Sequence, residues 1–297
     1  FSMNVISYSL FEPKKLYEHR AWDKDRHNPA RYYFNLPSLC LLNRLFYPSF
    51  NMHITICEQT ANNKLFSFYR ELCKQDDRFS YEVNKEQYTG HQPALWRIAK
   101  IWDEDVSCLM SRDIDSIPNK DEVQSTLFFV KSPYSVHTIR SHPNHYGFGC
   151  RMLIGLSSFK PKFIPLEILT TSFEDFRIKY ASESNWDTDQ RSIIRAFTEN
   201  TFFTSENFLD TKINQQSRYQ DFYCYSLSEE ERKSVILNNE QESVLSHFSS
   251  LGLSSWAGEP VDSRCALRYL LNKKIELSGL VDKILTSDKD LKSFYLP

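Results

Sequence analysis

Val106-Ser107-Cys108-Leu109-Met110-Ser111-Arg112-Asp113-Ile114-Asp115-Ser116 is the stretch from which the rest of the chain can be read. The apolar run from Val106 to Met110 reads as a buried strand, and two carboxylates one residue apart follow it. In an extended segment residues i and i+2 project to the same side, whereas on a helix they stand roughly 200° apart. Asp113 and Asp115 are therefore expected to reach one ion together. Carboxylate oxygens suit Mn²⁺ or Mg²⁺, hard cations that share their shell with substrate phosphates. The pattern points to a metal-diphosphate site.

The flanking segments place that site in a fold. Before it, Val5 to Phe11, Met52 to Cys57 and Phe79 to Val83 read as strands. Between them, Leu36 to Phe46, Leu65 to Cys73 and a segment opening near Pro93, with Leu95, Ile98 and Trp102 on one face, read as helices. The segment from Glu12 to Arg31 reads as irregular. Strands alternating with helices predict an α/β fold, a Rossmann-type mainly parallel sheet flanked by helices, whose ligands bind beyond the carboxyl ends of the strands. Asp113 and Asp115 lie at such an end.

After the motif, Asn119-x-x-Glu122 predicts a capping box and a helix through Val130. Strands are expected at Val136 to Arg140 and Met152 to Leu156. The latter half reads as more helical, over Leu166 to Tyr180, Asp189 to Phe197, Ser228 to Phe248 and Cys265 to Leu285. The expected organisation is one compact body, with residues 3–160 as the metal-site half and 161–297 as a mostly helical half.

The chain has 297 residues, 41% hydrophobic and 14% aromatic, enough for a large core. A net charge of −2, from 36 basic and 38 acidic side chains, implies no bulk attraction to nucleic acid or to an anionic membrane. Seven dispersed cysteines without Cys-x-x-Cys spacing read as reduced core residues of a cytoplasmic protein. No apolar stretch approaches the roughly 20 residues of a membrane span, and no signal peptide is expected before Met3.

Three further constellations carry chemistry. His137, His142, His145 and Cys150 fit no common zinc spacing, and Pro143 with Gly147 and Gly149 suggests a shaped loop in which Arg140 and His142 face phosphates or a sugar. Trp186, Asp187 and Asp189 stand at a helix start. Acidic residues there are ordinary capping chemistry, and in the functional reading Trp186 stacks on an acceptor sugar while Asp187 or Asp189 takes a proton from its hydroxyl. The loop Gly252 to Arg264 either lets backbone approach a phosphate or joins two helices. Glycine loops of the dinucleotide and Walker types are absent, which argues against NAD and ATP chemistry.

Taken in order, Val5 to Leu10, Trp96-Arg97-Ile98, Arg112-Asp113-Ile114-Asp115-Ser116, His137-Thr138-Ile139-Arg140-Ser141-His142-Pro143 and Asp189-Gln190 resemble the GT-A-fold glycosyltransferases with an Asp-x-Asp motif. They are similar, more narrowly, to small soluble enzymes of bacterial surface-polysaccharide loci and large DNA viruses. The likeness covers roughly residues 3 to 200. It implies a nucleotide-sugar donor with its base near Ser7 and Tyr8, and a diphosphate bridged by Mn²⁺ or Mg²⁺ to Asp113 and Asp115. It also implies that Arg97 and Arg112 orient the motif or neutralise phosphate, that Asp189 lies on the acceptor side as a candidate base, and that the acceptor is an oligosaccharide or glycoprotein. The chain departs from the family after Pro143, where Arg151 to Leu156 replaces a glycine-rich strand ending in Trp. The family's histidine ligand towards the C terminus has no matching motif, and His247 reads as a helix residue.

Two rival classes use the same residues. A haloacid-dehalogenase-like phosphohydrolase would employ Asp113 as nucleophile, although that motif usually follows the first strand of its domain. A non-catalytic nucleotide or glycan binder would not need Asp113 for binding.

Overall fold

The computed structural model of the chain describes residues 2–11, 29–86, 88, 92–140, 152–181, 188–200, 208–211, 229–253, 255 and 257–297. In chain order the elements are β1 (Met3–Leu10), α1 (Leu36–Phe46), β2 (Phe50–Cys57), α2 (Glu58–Asn62), α3 (Ser67–Gln75), β3 (Phe79–Asn84), a 3₁₀ helix over Gln92–Trp102, β4 (Val106–Arg112) and α4 (Lys120–Lys131). There follow β5 (Val136–Ile139), β6 (Leu156–Phe159), α5 (Leu166–Leu169), α6 (Phe173–Tyr180), α7 (Thr188–Glu199) and β7 (Phe208–Thr211). The chain closes with α8 (Glu229–Ser234), α9 (Asn239–Ser250), α10 (Arg264–Asn272), α11 (Ser278–Ser287) and α12 (Lys289–Tyr295).

The strands form one mixed sheet in the order β3-β2-β1-β4-β6-β5-β7. β1 to β4 are mutually parallel, β6 runs antiparallel between β4 and β5, and β7 pairs parallel with β5. The α/β class with a mainly parallel sheet is as expected. From β1 the chain moves outward to β2 and β3, then returns to the other side of β1 for β4. The strand order therefore reverses between β1 and β4, and the crevice beyond their carboxyl ends is where such sheets take ligands.

Alternation along the strands divides the core. Ile6, Tyr8, Leu10, Met52, Ile54 and Met110 pack on one face against α1, α3, α10, α11 and α12. Val5, Leu109 and Phe159 pack on the other against the 3₁₀ helix and α5 to α7. Helices from beyond residue 229 thus share a core with strands from the first third of the chain. Among the described residues, no helix is long and apolar enough to cross a membrane.

Four local expectations differ from the structure. The helix opening near Pro93 is a 3₁₀ helix, in which residues three apart eclipse, so the buried row is Leu95, Ile98 and Ile101 in place of an α-helical row ending at Trp102. Met152 to Leu156 is not a strand: Leu156 N–H donates to Leu153 O (2.8 Å), making a turn through Gly155, and the strand begins where that turn ends. The long helices break where the backbone turns left-handed, at Thr170 (φ 64°) and Lys274 (φ 55°), and where Asn238 opens α9 with a full capping box to Gln241. At α4 only half of the box forms, because the Glu122 carboxylate is drawn to Arg112.

Arg112 and Glu122 make a buried ion pair at 2.7 Å, each side chain 4% exposed. The guanidinium also donates to Ser111 O and Ser157 O (2.8 Å each), Thr126 Oγ1 (3.0 Å) and Ser158 Oγ (3.4 Å), tying β4 to β6 and α4. Burial raises the Glu122 pKa, and Arg112 opposes that rise. Arg112→Met is expected to leave Glu122 uncompensated and to cost about 3–5 kcal/mol in urea unfolding. A second measurement concerns His53 on β2, which shares a 2.9 Å hydrogen bond with Ser80 Oγ. Burial first, and Lys100 second, push its pKa from 6.5 down to about 3. The folded state then binds fewer protons than the unfolded chain between those values, so His53 stabilises above its unfolded pKa and that stability is lost as pH falls. Wild type is expected to lose stability relative to His53→Gln by up to about 1.4 kcal/mol per pH unit between about pH 6 and pH 4.

Candidate functional site

β4 ends at Arg112, and Asp113 to Asp115 form a turn at its carboxyl end; the extended geometry expected for the pair is not what holds it together. The turn is fixed by its backbone. Ser116 Oγ donates to Asp113 O (3.1 Å), and Val261 N–H donates to Asp115 O (2.8 Å). Ser116 also bridges Pro260 in antiparallel fashion. Asn35, at the start of α1, holds that distant segment: its amide donates to Val261 O (3.0 Å), and its oxygen accepts from Ser263 N–H (3.0 Å) and Ser263 Oγ (2.8 Å). The glycine-bearing loop therefore does more than join two helices, since it clamps the motif. Gly258 within it has φ 78°, the left-handed region that favours glycine.

The carboxylates have separate counter-charges. Asp113, 39% exposed, accepts from Arg97 Nη1, and Arg97 Nη2 donates to Asp189. Burial alone would lower the Arg97 pKa, and the two carboxylates more than reverse this. Asp115, 16% exposed, accepts from Arg31 Nη2. Its pKa is raised, by burial foremost and then by the neighbouring Asp113, with Arg31 acting against both. Gly155 presses on the motif: a Cβ there would lie 2.0 Å from Asp113 Oδ2.

The remaining expected residues divide clearly. Ser7 is fully buried on the 3₁₀-helix side of β1, opposite Ser111 in register. Ser7 Oγ, Ser111 Oγ and Arg97 Nε have no hydrogen-bond partner among the described residues. Tyr8 corrects an expectation. Alternation turns it to the other face, where it is 1% exposed, accepts from Asn43 Nδ2 (3.1 Å) and has its pKa raised by burial, so it is a core residue and cannot line a base pocket. Arg112 is engaged by protein acceptors through all three guanidinium nitrogens. Asp189 is buried, with one oxygen on Arg97 and the other accepting from Gln190 N–H (2.9 Å). Arg140 is buried just beyond β5, on the same edge of the sheet as Asp113. His142, Trp186 and Asp187 lie outside the described residues. Of the other histidines, His137 stacks on Phe129 in the core (5.1 Å), and His247 stacks on Tyr269 between α9 and α10 (3.7 Å).

Arg31, Asn35, Gly155, Val261 and Ser263 were not singled out individually by the sequence reading. Gly155 alone left a local signal, as one of seven glycines in the chain. As a donor set for a divalent cation, the turn offers hard carboxylate oxygens from two adjacent side chains. Each gives one oxygen to an arginine, so the chemistry fits such an ion. Among the described residues there is no group of three or more His, Cys, Asp or Glu that could hold a metal.

No protein-family model matches the chain, and no curated protein matches it. Among solved structures it is similar to 4-diphosphocytidyl-2C-methyl-D-erythritol synthase from Anaerococcus prevotii, at 9% identity and a TM-score of 0.37, covering 78% of this chain and 96% of that one. It is also similar to the mannosyltransferase PcManGT from Pyrobaculum calidifontis in complex with GDP-Man and Mn²⁺, at 9% identity and a TM-score of 0.34, covering 100% of this chain and 85% of that one. The fold class rests on the strand order described above.

Gly155→Ala meets only the far end of a side chain. It is expected to keep the melting temperature within about 3 °C of wild type while moving the Asp113 carboxylate off Arg97, visible in a crystal structure of the variant.

Proposed function

We propose that the protein is a divalent-metal-dependent glycosyltransferase, moving a pentose or hexose from a nucleotide sugar, with UDP-linked donors the first to test, to a hydroxyl of a glycan or glycoprotein. The observation that carries this reading is the placement of Asp113 and Asp115 at the carboxyl end of β4, beside the reversal of strand order.

In this reading Asp113 and Asp115 hold Mn²⁺ or Mg²⁺. When bound, such an ion stabilises the charge that develops on the departing nucleoside diphosphate. The family likeness places the base near Ser7, whose Oγ has no hydrogen-bond partner among the described residues. Arg97 fixes the Asp113 carboxylate, and Asp189 fixes Arg97, so Asp189 serves as a positioning residue. The acceptor proton then falls to Asp187, with Trp186 stacking on the acceptor sugar. Arg140 and His142 meet the diphosphate or the transferred sugar from the β5 side. Residues 3–160 carry the donor site, and 161–297 choose the acceptor.

Asp113→Asn and Asp115→Asn are each expected to weaken Mn²⁺-dependent binding of UDP or GDP by roughly 100-fold or more while the fold is retained, measured by calorimetry with circular dichroism as control. Wild type is expected to release nucleoside diphosphate slowly from its sugar nucleotide and no phosphate from an aryl phosphate. Phosphate release from the aryl ester would favour the phosphohydrolase, and nucleotide binding indifferent to Asp113→Asn would favour the non-catalytic binder.

A further inference from the structure

Asparagine is a strong helix N-cap because its side-chain oxygen accepts from backbone N–H groups of the first turn. Asn119 and Asn238 act this way at α4 and α9. Their backbones are extended (ψ 179° and 169°), and each accepts from the N–H three residues on at 2.9 Å. Asn35 and Ser263 hold the same position before α1 and α10, yet neither side chain caps its own helix, and their ψ angles are −6° and 4°. The two side chains instead meet across 228 positions: Asn35 Oδ1 accepts from Ser263 Oγ (2.8 Å) and from Ser263 N–H (3.0 Å). Both residues are fully buried. The Asn35 amide donates in turn to Val261 O (3.0 Å), and Val261 N–H donates to Asp115 O (2.8 Å). One residue, Val261, therefore has its carbonyl on Asn35 and its N–H on the motif.

We propose that Asn35 is a positioning residue for the cation of the motif: through Val261 it holds the Asp115 backbone where the Asp113 and Asp115 carboxylates can meet one divalent ion. This rests on the function proposed above. A side-chain cap is a favourable bond, and α1 and α10 each go without one although a capping residue stands at the right position. Local helix chemistry therefore does not account for where these side chains point. The junction does, because it fastens two helix starts to each other and, by way of Val261, to the turn. No bond in this series takes a carboxylate oxygen. The series thus sets the lie of the turn without competing for its ligand atoms. Metal sites depend on such orienting groups nearly as much as on the ligands themselves, and losing one typically costs roughly 10- to 100-fold in affinity.

The test is equilibrium binding of Mn²⁺, followed by the electron paramagnetic resonance signal of the free ion, alone and with saturating UDP or GDP. Thermal unfolding of each variant is recorded alongside. Asn35→Ala is expected to weaken Mn²⁺ binding about tenfold or more. Val261→Pro deletes the N–H that reaches Asp115 and keeps the carbonyl that Asn35 holds. It is expected to weaken Mn²⁺ binding to a similar extent, and it decides the matter should Asn35→Ala fail to fold. Asn238→Ala removes the same side chain from the same helix position where it is an ordinary cap. It is expected to melt below wild type and to hold the wild-type affinity within about twofold. If folded Asn35→Ala or Val261→Pro bound Mn²⁺ as tightly as wild type, or if Asn238→Ala lost as much affinity as they did, the positioning role would be overturned while the transferase reading stood. If wild type bound Mn²⁺ neither alone nor with UDP or GDP, the transferase reading would fall and take this inference with it.

Discussion

A turn carrying two carboxylates one residue apart can stay folded at the edge of a hydrophobic core only if its negative charge is met from within the protein. Here the requirement is met by three arginines with distinct duties. Arg112 lies beneath the turn, buried with Glu122 and bonded to the backbone of β6, so β4 ends at a fixed place. Arg97 and Arg31 approach from two sides and take one carboxylate each. Since a desolvated and unpaired charge is far more costly than a paired one, the order of these contacts constrains the 3₁₀ helix over Gln92–Trp102, the start of α7 and the arm before α1 together. Much of the architecture around the sheet's carboxyl edge can be understood as delivering those guanidinium groups.

The sheet supplies the other constraint. With β1 and β4 parallel and adjacent, the strand order reverses between them. Near that reversal the buried Ser7 Oγ, Ser111 Oγ and Arg97 Nε have no hydrogen-bond partner among the described residues. Polar atoms so deeply buried are ordinarily satisfied.

How legible this was depends on the range of the interaction. Strands β1, β2 and β4 are largely apolar and buried over consecutive residues, while β3 is an edge strand with Ser80, Tyr81 and Glu82 exposed, and the position of Asp113 at a strand end follows from the β4 run. The face of Tyr8 was also readable: Ile6, Tyr8 and Leu10 share one side of β1, and the small polar Ser7 and Ser9 share the other. The displaced start of β6 was not, because Met152 and Ile154 are as apolar and as buried as strand residues while the turn at Gly155 gives their backbone other partners. Left-handed residues at Thr170 and Lys274 break helical periodicities that hydrophobic spacing alone runs together. Least legible were Arg31, Asn35 and Ser263. Their partners lie dozens to hundreds of positions away, and nothing in their immediate neighbours records a charge or a carbonyl waiting across the fold.

The same accounting of donors and acceptors reassigns the acidic pair at the start of α7. In sequence, Asp187 and Asp189 are equivalent candidates for accepting a proton. In the fold, Asp189 is buried, with one oxygen on Arg97 and the other on the Gln190 amide. Through Arg97 it links the first turn of α7 to Asp113. A displacement of α7 cannot leave Arg97 in place without uncovering Asp189, nor can Arg97 follow the helix without releasing Asp113. α7 is in this way tied, through one guanidinium, to the turn that carries Asp113.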